Sequence, residues 1–388
     1  MQPGTTIFEH MSGLARAHGA INLGQGFPDF GWPESVLAAG AEAIVHGNNQ
    51  YPSMWGLPEL REAVMNFYER RQGVTLDPDQ DVVVITSGAT EALAASIMAV
   101  AGPGDEVILF APAYDAYAPL VRRAGARPVW VALQPPDWQA SGEAIAAAIT
   151  PATRAILLNT PHNPTGAIAS PAMIAAIIDL ARQHDLVIIS DEVWEEVLTG
   201  GAPHVSPFGM AADRTIKIGS AGKLLALTVW KVGWVLTDAA LAERVAKVHQ
   251  YLTFTTPPPL QVAVAAGLAL PDTWFDAARA RFVTARDRLA GALTAGGWAL
   301  LPTQGSYFLM ADLAASGIAM GDRSFCEAAV RSAGVAAIPL SAFMPDGAET
   351  PFIRLCFAKS DAVLDAGAAR LNAALAGWEG LHQSPPIA

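Results

Sequence analysis

Three lysines fall within fifteen residues of KIGSAGKLLALTVWKVGW, the run from Lys217 to Trp234. Their neighbours are mostly Ile, Leu, Val, Ala and Trp, and the run holds no carboxylate, so it is not a solvated helix face laced with ion pairs. A lysine in such surroundings either snorkels to water or is held inside by something anionic. The GSAGK segment offers the Ser220 hydroxyl and two glycines beside Lys223, with a further cation at Lys231, which suits a phosphate. It is not a Walker loop, because the spacing GxxxxGK[ST] is absent. SGATEAL provides a second anion site if Gly88, Ala89 and Thr90 open a helix, since the first N–H groups of a helix and its dipole attract negative charge. An ordinary helix start capped by Ser87 or Thr90 is the plainer alternative. Asp191 closes the apolar run of IISDEVW, where an unpartnered carboxylate is costly to bury. It can cap the next helix, or it can hold a protonated ring nitrogen in a charge-assisted bond that keeps the ring electron-poor. LNTPHNPTG adds two asparagines in a Pro/Gly loop after a strand, both able to serve a ligand.

These residues need elements to carry them. From about residue 80, short β-branched runs alternate with helical stretches: DVVVITSG, EVILF, RPVWVAL, RAILLN, LVIISD, RTIKIGS and KVGWVLT read as strands. ATEALAASIMAVAG, YDAYAPLVRRAG and Ser170 to His184 read as helices between them. Such alternation implies an α/β fold, with right-handed crossovers and a mostly parallel sheet covered by helices on both faces. Ligands of such sheets gather at the carboxyl ends of the strands, and the polar islands at Ser87–Thr90, Asn159–Gly166, Asp191–Trp194 and Ser220–Lys223 fall there. After a long helical region from Thr273 to Gly296, the run WALLPTQGSYFLMADL, a helix from Ser324, and the strand-like GVAAIPL and FIRLCFA suggest a smaller α+β unit completed by the N-terminal segment. The expected division is a large domain at 37–272 and a small one made of 1–36 and 273–388.

The chain has 388 residues, 52% of them hydrophobic and 15% charged, with a net charge of −12. No basic block is present, which argues against nucleic acid as the main ligand. Every apolar run is interrupted before eighteen residues, against a membrane span. The first residues lack the basic and apolar regions of a signal peptide. Two cysteines, Cys326 and Cys356, suit a reducing compartment, so a cytoplasmic enzyme is expected.

In order along the chain, INLGQGFPDF, QYPSMWGLPELR, SGATEAL, PAYDAY, LNTPHNPTG, SDEVW, GSAGK with KVGW, and FIRLCFAK resemble the class I, fold type I aminotransferases that depend on pyridoxal phosphate. The set is most similar to the kynurenine/glutamine transaminase and methionine aminotransferase branch, and it spans about Ile7 to Leu375. The resemblance implies that Lys223 is the Schiff-base lysine and proton shuttle. A lysine suits this because desolvation and a neighbouring cation free its amine. It further implies Asp191 on the pyridinium nitrogen, Tyr114 stacked on the ring, and Asn163 near the ring oxygen and the substrate carboxylate. Gly88, Ala89, Thr90, Ser220 and Lys231 match phosphate contacts, and Tyr51 matches a tyrosine that reaches the neighbouring subunit's phosphate. Arg354 matches the arginine that grips the substrate α-carboxylate in a bidentate fork, and Gly26 fits a backbone contact to the same group. Shared sites imply a homodimer. Lys217 matches no ligand position and reads as a snorkelling lysine.

Two positions depart from the pattern. Trp194 stands where these enzymes usually carry a tyrosine that bonds the cofactor's ring oxygen, and an indole cannot ionise. Val229 stands where glycine is common, and is strained there if the backbone needs a positive φ. The activity implied is ping-pong transamination from an apolar, sulfur-containing or aromatic L-amino acid (methionine, glutamine, phenylalanine or kynurenine) to a 2-oxo acid. Phe27, Trp32, Trp55 and Tyr307 are aromatics available to line its pocket. The same cofactor residues also serve a cysteine-conjugate β-lyase, and a non-catalytic ligand-binding module of this fold is a third alternative.

Overall fold

A computed structural model describes residues 6–201 and 203–381; the polar tail HQSPPIA lies outside the described residues. Thirteen strands occur among them. In chain order they are β1 (Ile21–Asn22), β2 (Asp81–Thr86), β3 (Glu106–Ala111), β4 (Arg127–Ala132), β5 (Thr153–Asn159), β6 (Val187–Asp191) and β7 (Thr215–Ser220). The remainder are β8 (Gly233–Asp238), β9 (Ala299–Leu300), β10 (Phe308–Asp312), β11 (Val335–Ala336), β12 (Ile338–Pro339) and β13 (Phe352–Cys356).

The central sheet runs in the order β2-β8-β7-β6-β5-β3-β4. All neighbours are parallel except β8, which lies antiparallel to both β2 and β7. Strands β3 and β7 are buried at every position, as strands covered on both faces must be, and this is why they read as mostly apolar, broken only by Glu106 in β3 and by Thr215, Lys217 and Ser220 in β7. Successive residues of β2 serve opposite cores: Val84 packs with Leu93 and Ile97 of the helix Ala89–Val100, while Val83 and Ile85 pack with Phe67 and Tyr68 of the helix Pro58–Gln72.

A second, four-stranded sheet has the order β12-β13-β10-β9, and its pairings are antiparallel. GVAAIPL is not one strand. Ala337 separates β11, which pairs in parallel with β1, from β12, which joins the four-stranded sheet. The 24-residue helix Asp272–Ala295 connects the two sheets along the chain. The helix in YDAYAPLVRRAG starts only at Tyr117, so Tyr114 sits on the turn before it. No helix among the described residues is long and apolar enough to cross a membrane.

Candidate active site

The ends of β5, β6 and β7 and the start of the helix Ala89–Val100 border one cavity of about 290 Å³. Its floor is built by strand ends. β6 delivers Asp191, and the turn after it delivers Trp194; Ser220 ends β7, and Lys223 lies in the short helix Ala221–Leu224 that follows. Asn163 comes from the loop after β5, Tyr114 from the turn before Tyr117, Gly26 from the N-terminal segment and Arg354 from β13.

Asp191 is buried and accepts a 2.7 Å hydrogen bond from Tyr117 Oη, with the Val193 N–H at 3.3 Å from Oδ1. Burial raises its pKa to about 6; Tyr117, the Val193 N–H and Lys223 pull it back down. Burial also lowers Lys223 to about 8, against the upward pull of Asp191, with Arg354 and Lys231 adding to the fall. Its Nζ donates to Tyr307 Oη at 3.4 Å and lies 4.7 Å from the centre of the Trp194 ring. Tyr307 donates in turn to the Gly26 carbonyl at 2.7 Å.

Arg354 is 1% exposed and enclosed by Phe308, Phe343 and Phe8, with ring centres 3.9, 5.0 and 5.3 Å from its guanidinium carbon. It donates through Nη1 to Asn163 Oδ1 at 2.8 Å and through Nη2 to the Gly24 carbonyl at 3.0 Å. Its Nε is buried without a partner. A buried cation with an open donor is arranged for an anion, and burial accordingly lowers its pKa to about 10.

At the opposite end, Gly88 opens the helix with φ +80° and no side-chain cap, leaving the first-turn N–H groups of Ala89 and Thr90 facing the cavity wall that Ser220 and Lys231 share. A Cβ on Gly233 would sit 2.7 Å from the Gly88 carbonyl carbon, so glycine is required for β8 to pass this turn.

The cavity thus brings together all the residues to which the resemblance gives a cofactor or substrate contact, except Tyr51. Tyr51 is 83% exposed, packs edge-on against Phe254 and lines a separate groove with Ile44 and Leu260. Of the pocket aromatics expected, Phe27 lines the cavity and Tyr307 holds Lys223, whereas Trp32 is exposed and Trp55 packs against the core. Val229 does not carry the expected strain. The left-handed residue of that turn is Lys231, at φ 53°, while Val229 is 82% exposed.

Lys217 corrects the reading taken from its apolar neighbours: it does not snorkel. It is 1% exposed and its Nζ donates to Glu192 and, at 2.8 Å, to Glu195. The missing carboxylates lay on a different strand end, twenty-five and twenty-two positions earlier. Sequence reasoning also passed over Tyr117; the one signal was a second tyrosine three residues after Tyr114.

A mostly parallel sheet whose strand ends surround a buried amine, a buried carboxylate and an open helix N-terminus suits an α/β enzyme working with a phosphate-bearing aromatic cofactor. The chain belongs to the class I and II aminotransferases, whose family model matches residues 18–371. It is a pyridoxal-phosphate-dependent aminotransferase with an aspartate aminotransferase-like fold. It is 42% identical over 381 residues to a probable N-succinyldiaminopimelate aminotransferase of Mycobacterium tuberculosis, covering 95% of this chain and 96% of that one. It is 41% identical to a methionine aminotransferase of Escherichia coli, covering 96% of each, and 35% identical to rat kynurenine–oxoglutarate transaminase 1, covering 92% and 93%. The solved structure of the Mycobacterium tuberculosis enzyme superposes with a TM-score of 0.91, covering 95% of this chain and 97% of that one. For a Thermus thermophilus aspartate aminotransferase variant, at 30% identity, the score is 0.87, covering 96% and 97%.

The residues present fit the cofactor. The uncapped helix start with Ser220 and Lys231 suits its phosphate, Asp191 its ring nitrogen, and the unpartnered Arg354 Nε an acid bound beside it. Trp194 departs in chemistry. It offers Lys223 a ring face instead of a phenol, and a cation over an indole gains about 0.5–2 kcal/mol. Trp194→Tyr is therefore expected to lower the pH midpoint of the visible band of the cofactor-loaded protein by about 0.5–1 unit, since 1.36 kcal/mol is one unit. Absorption titration of both proteins checks it; equal midpoints would show that the indole carries no such role.

Proposed function

We propose that the chain transfers the amino group of a neutral L-amino acid with an apolar, sulfur-containing or aromatic side chain to a 2-oxo acid in a ping-pong cycle. The observation that carries this is a count of cations. Among the described residues lining the cavity, the cations are Lys223, Lys231 and Arg354. Lys231 sits at the phosphate end, Lys223 at the ring and Arg354 at the α-carboxylate, so none of this chain's own described cavity cations is left for a second carboxylate. Methionine and kynurenine have one carboxylate; N-succinyldiaminopimelate has more. The apolar wall of Phe8, Phe27 and Phe308 supports the same preference.

When bound, pyridoxal phosphate supplies an electron sink for the pair left at a substrate carbon that has lost its proton. The side chains do the rest. Arg354 binds the α-carboxylate with Asn163 beside it and the Gly26 backbone facing it. Asp191, held by Tyr117, keeps a proton on the ring nitrogen, while Tyr114 packs on the ring. The Lys223 amine takes the proton from the substrate Cα and returns it. Gly88, Ala89, Thr90, Ser220 and Lys231 anchor the phosphate. A homodimer is supported by the exposed Ile44, Val45, Tyr51, Tyr251 and Phe254, apolar groups that water-facing surfaces seldom gather, and Tyr51 would then reach the neighbouring site. The two sheets support a division into 37–272 and 1–36 with 273–388, and the unpaired cysteines support a reducing, cytoplasmic setting.

The test is the visible spectrum of the loaded enzyme with methionine, phenylalanine, kynurenine or N-succinyldiaminopimelate and no acceptor. Bleaching by the neutral donors, reversed by a 2-oxo acid, is the expected result. Bleaching by N-succinyldiaminopimelate alone would overturn the donor assignment.

A further inference from the structure

Beneath the cavity, on the other face of the sheet, lies a second set of charges that the chemistry above does not use. β6 ends at Asp191, and in the turn that follows Val193 and Trp194 line the cavity with Asp191, while Glu192 and Glu195 reach the layer between the sheet and the helix Pro58–Gln72. Lys217 pairs in register with Ser190, one residue before Asp191, and reaches the same layer. Its Nζ donates to Glu192, to Glu195 Oε2 at 2.8 Å and to Gln72 Oε1 at 3.1 Å, and lies 4.5 Å from the Tyr68 ring centre. Tyr68 donates to Glu195 at 2.9 Å, and Ser206 and His204 contact Glu192 at 2.8 and 2.6 Å. Ligand atoms of Glu192, Glu195 and His204 lie within 4.8 Å of one another, the spacing of a cation site, and the ammonium is its cation. That cation is tethered to the strand which, six residues on, leads to Lys223.

We propose that Lys217 is a positioning residue for the cofactor site, an internal cation that ties the Asp191–Trp194 turn to the strand leading to Lys223 and screens Glu192 and Glu195 from the ring-binding groups. The proposal rests on the roles given above to Asp191 and Lys223. Asp191 is faced by Tyr117, Tyr114 and Lys223 from the cavity side and adjoins Glu192, whose charge pushes its proton affinity up. With the ammonium gone, two buried carboxylates lose their shared counter-charge. The field at Asp191 and at the nitrogen on Lys223 becomes more negative, so protons are held to higher pH at both. The sign follows: the loaded enzyme's visible band titrates at a higher midpoint.

The experiment uses the cofactor-loaded enzyme and three variants, Lys217→Met, Lys217→Met/Glu192→Gln and Glu195→Gln. It reads the pH midpoint of the visible band and the dissociation constant of the apoprotein for pyridoxal phosphate, with Tm alongside. Lys217→Met is expected to raise the midpoint by about one unit and weaken cofactor binding about tenfold. The charge-neutral double variant returns towards the wild-type midpoint although the strap is still absent, and Glu195→Gln moves the midpoint down. A lowered Tm with an unchanged midpoint in Lys217→Met would reduce Lys217 to packing and overturn the proposal. If Lys217→Met does not fold, Glu195→Gln decides alone, and a midpoint that fails to fall overturns it. A visible band that survives Lys223→Ala would instead overturn the underlying reading of Lys223.

Discussion

Lys223→Ala is expected to lower kcat by at least ~10⁴-fold and to remove the visible band. General acid–base catalysis alone contributes up to about 10⁴-fold, and the variant loses the nucleophile as well. Single-turnover measurement with a neutral donor checks the rate; a variant retaining a tenth of the activity would show that another group carries the proton. The same amine predicts a pH dependence. With a pKa of about 8, about a tenth of the molecules hold a free amine at pH 7, against about one in three thousand for an unperturbed lysine. Because the pKa is lowered, reactivity is gained as pH rises. Capture of pyridoxal phosphate by the apoprotein should accelerate about tenfold per unit up to pH 8 and level off above it. Stopped-flow mixing across this range measures the break, and a break near 10 would show that burial does not depress the amine.

Arg354→Leu is the second large loss. The guanidinium is buried, its Nη atoms are engaged by Asn163 and Gly24, and its Nε has no protein partner. Truncating one side of a buried charge pair costs about 2–5 kcal/mol, and tenfold in affinity corresponds to about 1.4 kcal/mol, so kcat/KM is expected to fall about 10³-fold. Most of the loss should appear in KM, because the group serves the substrate carboxylate in ground and transition states alike. Cofactor affinity, measured by titrating the apoprotein, should change less than about threefold. Arg354→Lys restores charge without the planar fork and should recover only part of the loss. A cofactor affinity that falls in parallel with kcat/KM would move Arg354 from the substrate to the cofactor.

The alternation of apolar strand runs with helices was legible because burial on both faces makes most positions of β3 and β7 apolar, with Glu106, Thr215, Lys217 and Ser220 the exceptions. Polar residues then stand out where those runs stop, and strand ends on one edge of a parallel sheet necessarily meet. Hence Asp191, Asn163, Ser220 and Lys223 could be picked out from sequence, and the structure lines one cavity with them. The direction of β8 was not legible, because KVGWVLT is equally apolar in either orientation and only its neighbours β2 and β7 set it.

What the sequence by itself determined is the fold class, the strand-end position of the polar islands and the aminotransferase family, since these follow from local periodicity and from ordered short motifs. What only the tertiary structure decided is partnership. Lys217 finds Gln72 across 145 residues, Arg354 finds Asn163 across 191, and Tyr307 finds Gly26 across 281. The charge state of a buried group depends on which dipoles and ions surround it in space, and no local run of residues carries that information. Lys217 shows the consequence. Judged by its chain neighbours it belongs at the surface; its place in the interior depends on two carboxylates that the folding of β6 beside β7 brings to it.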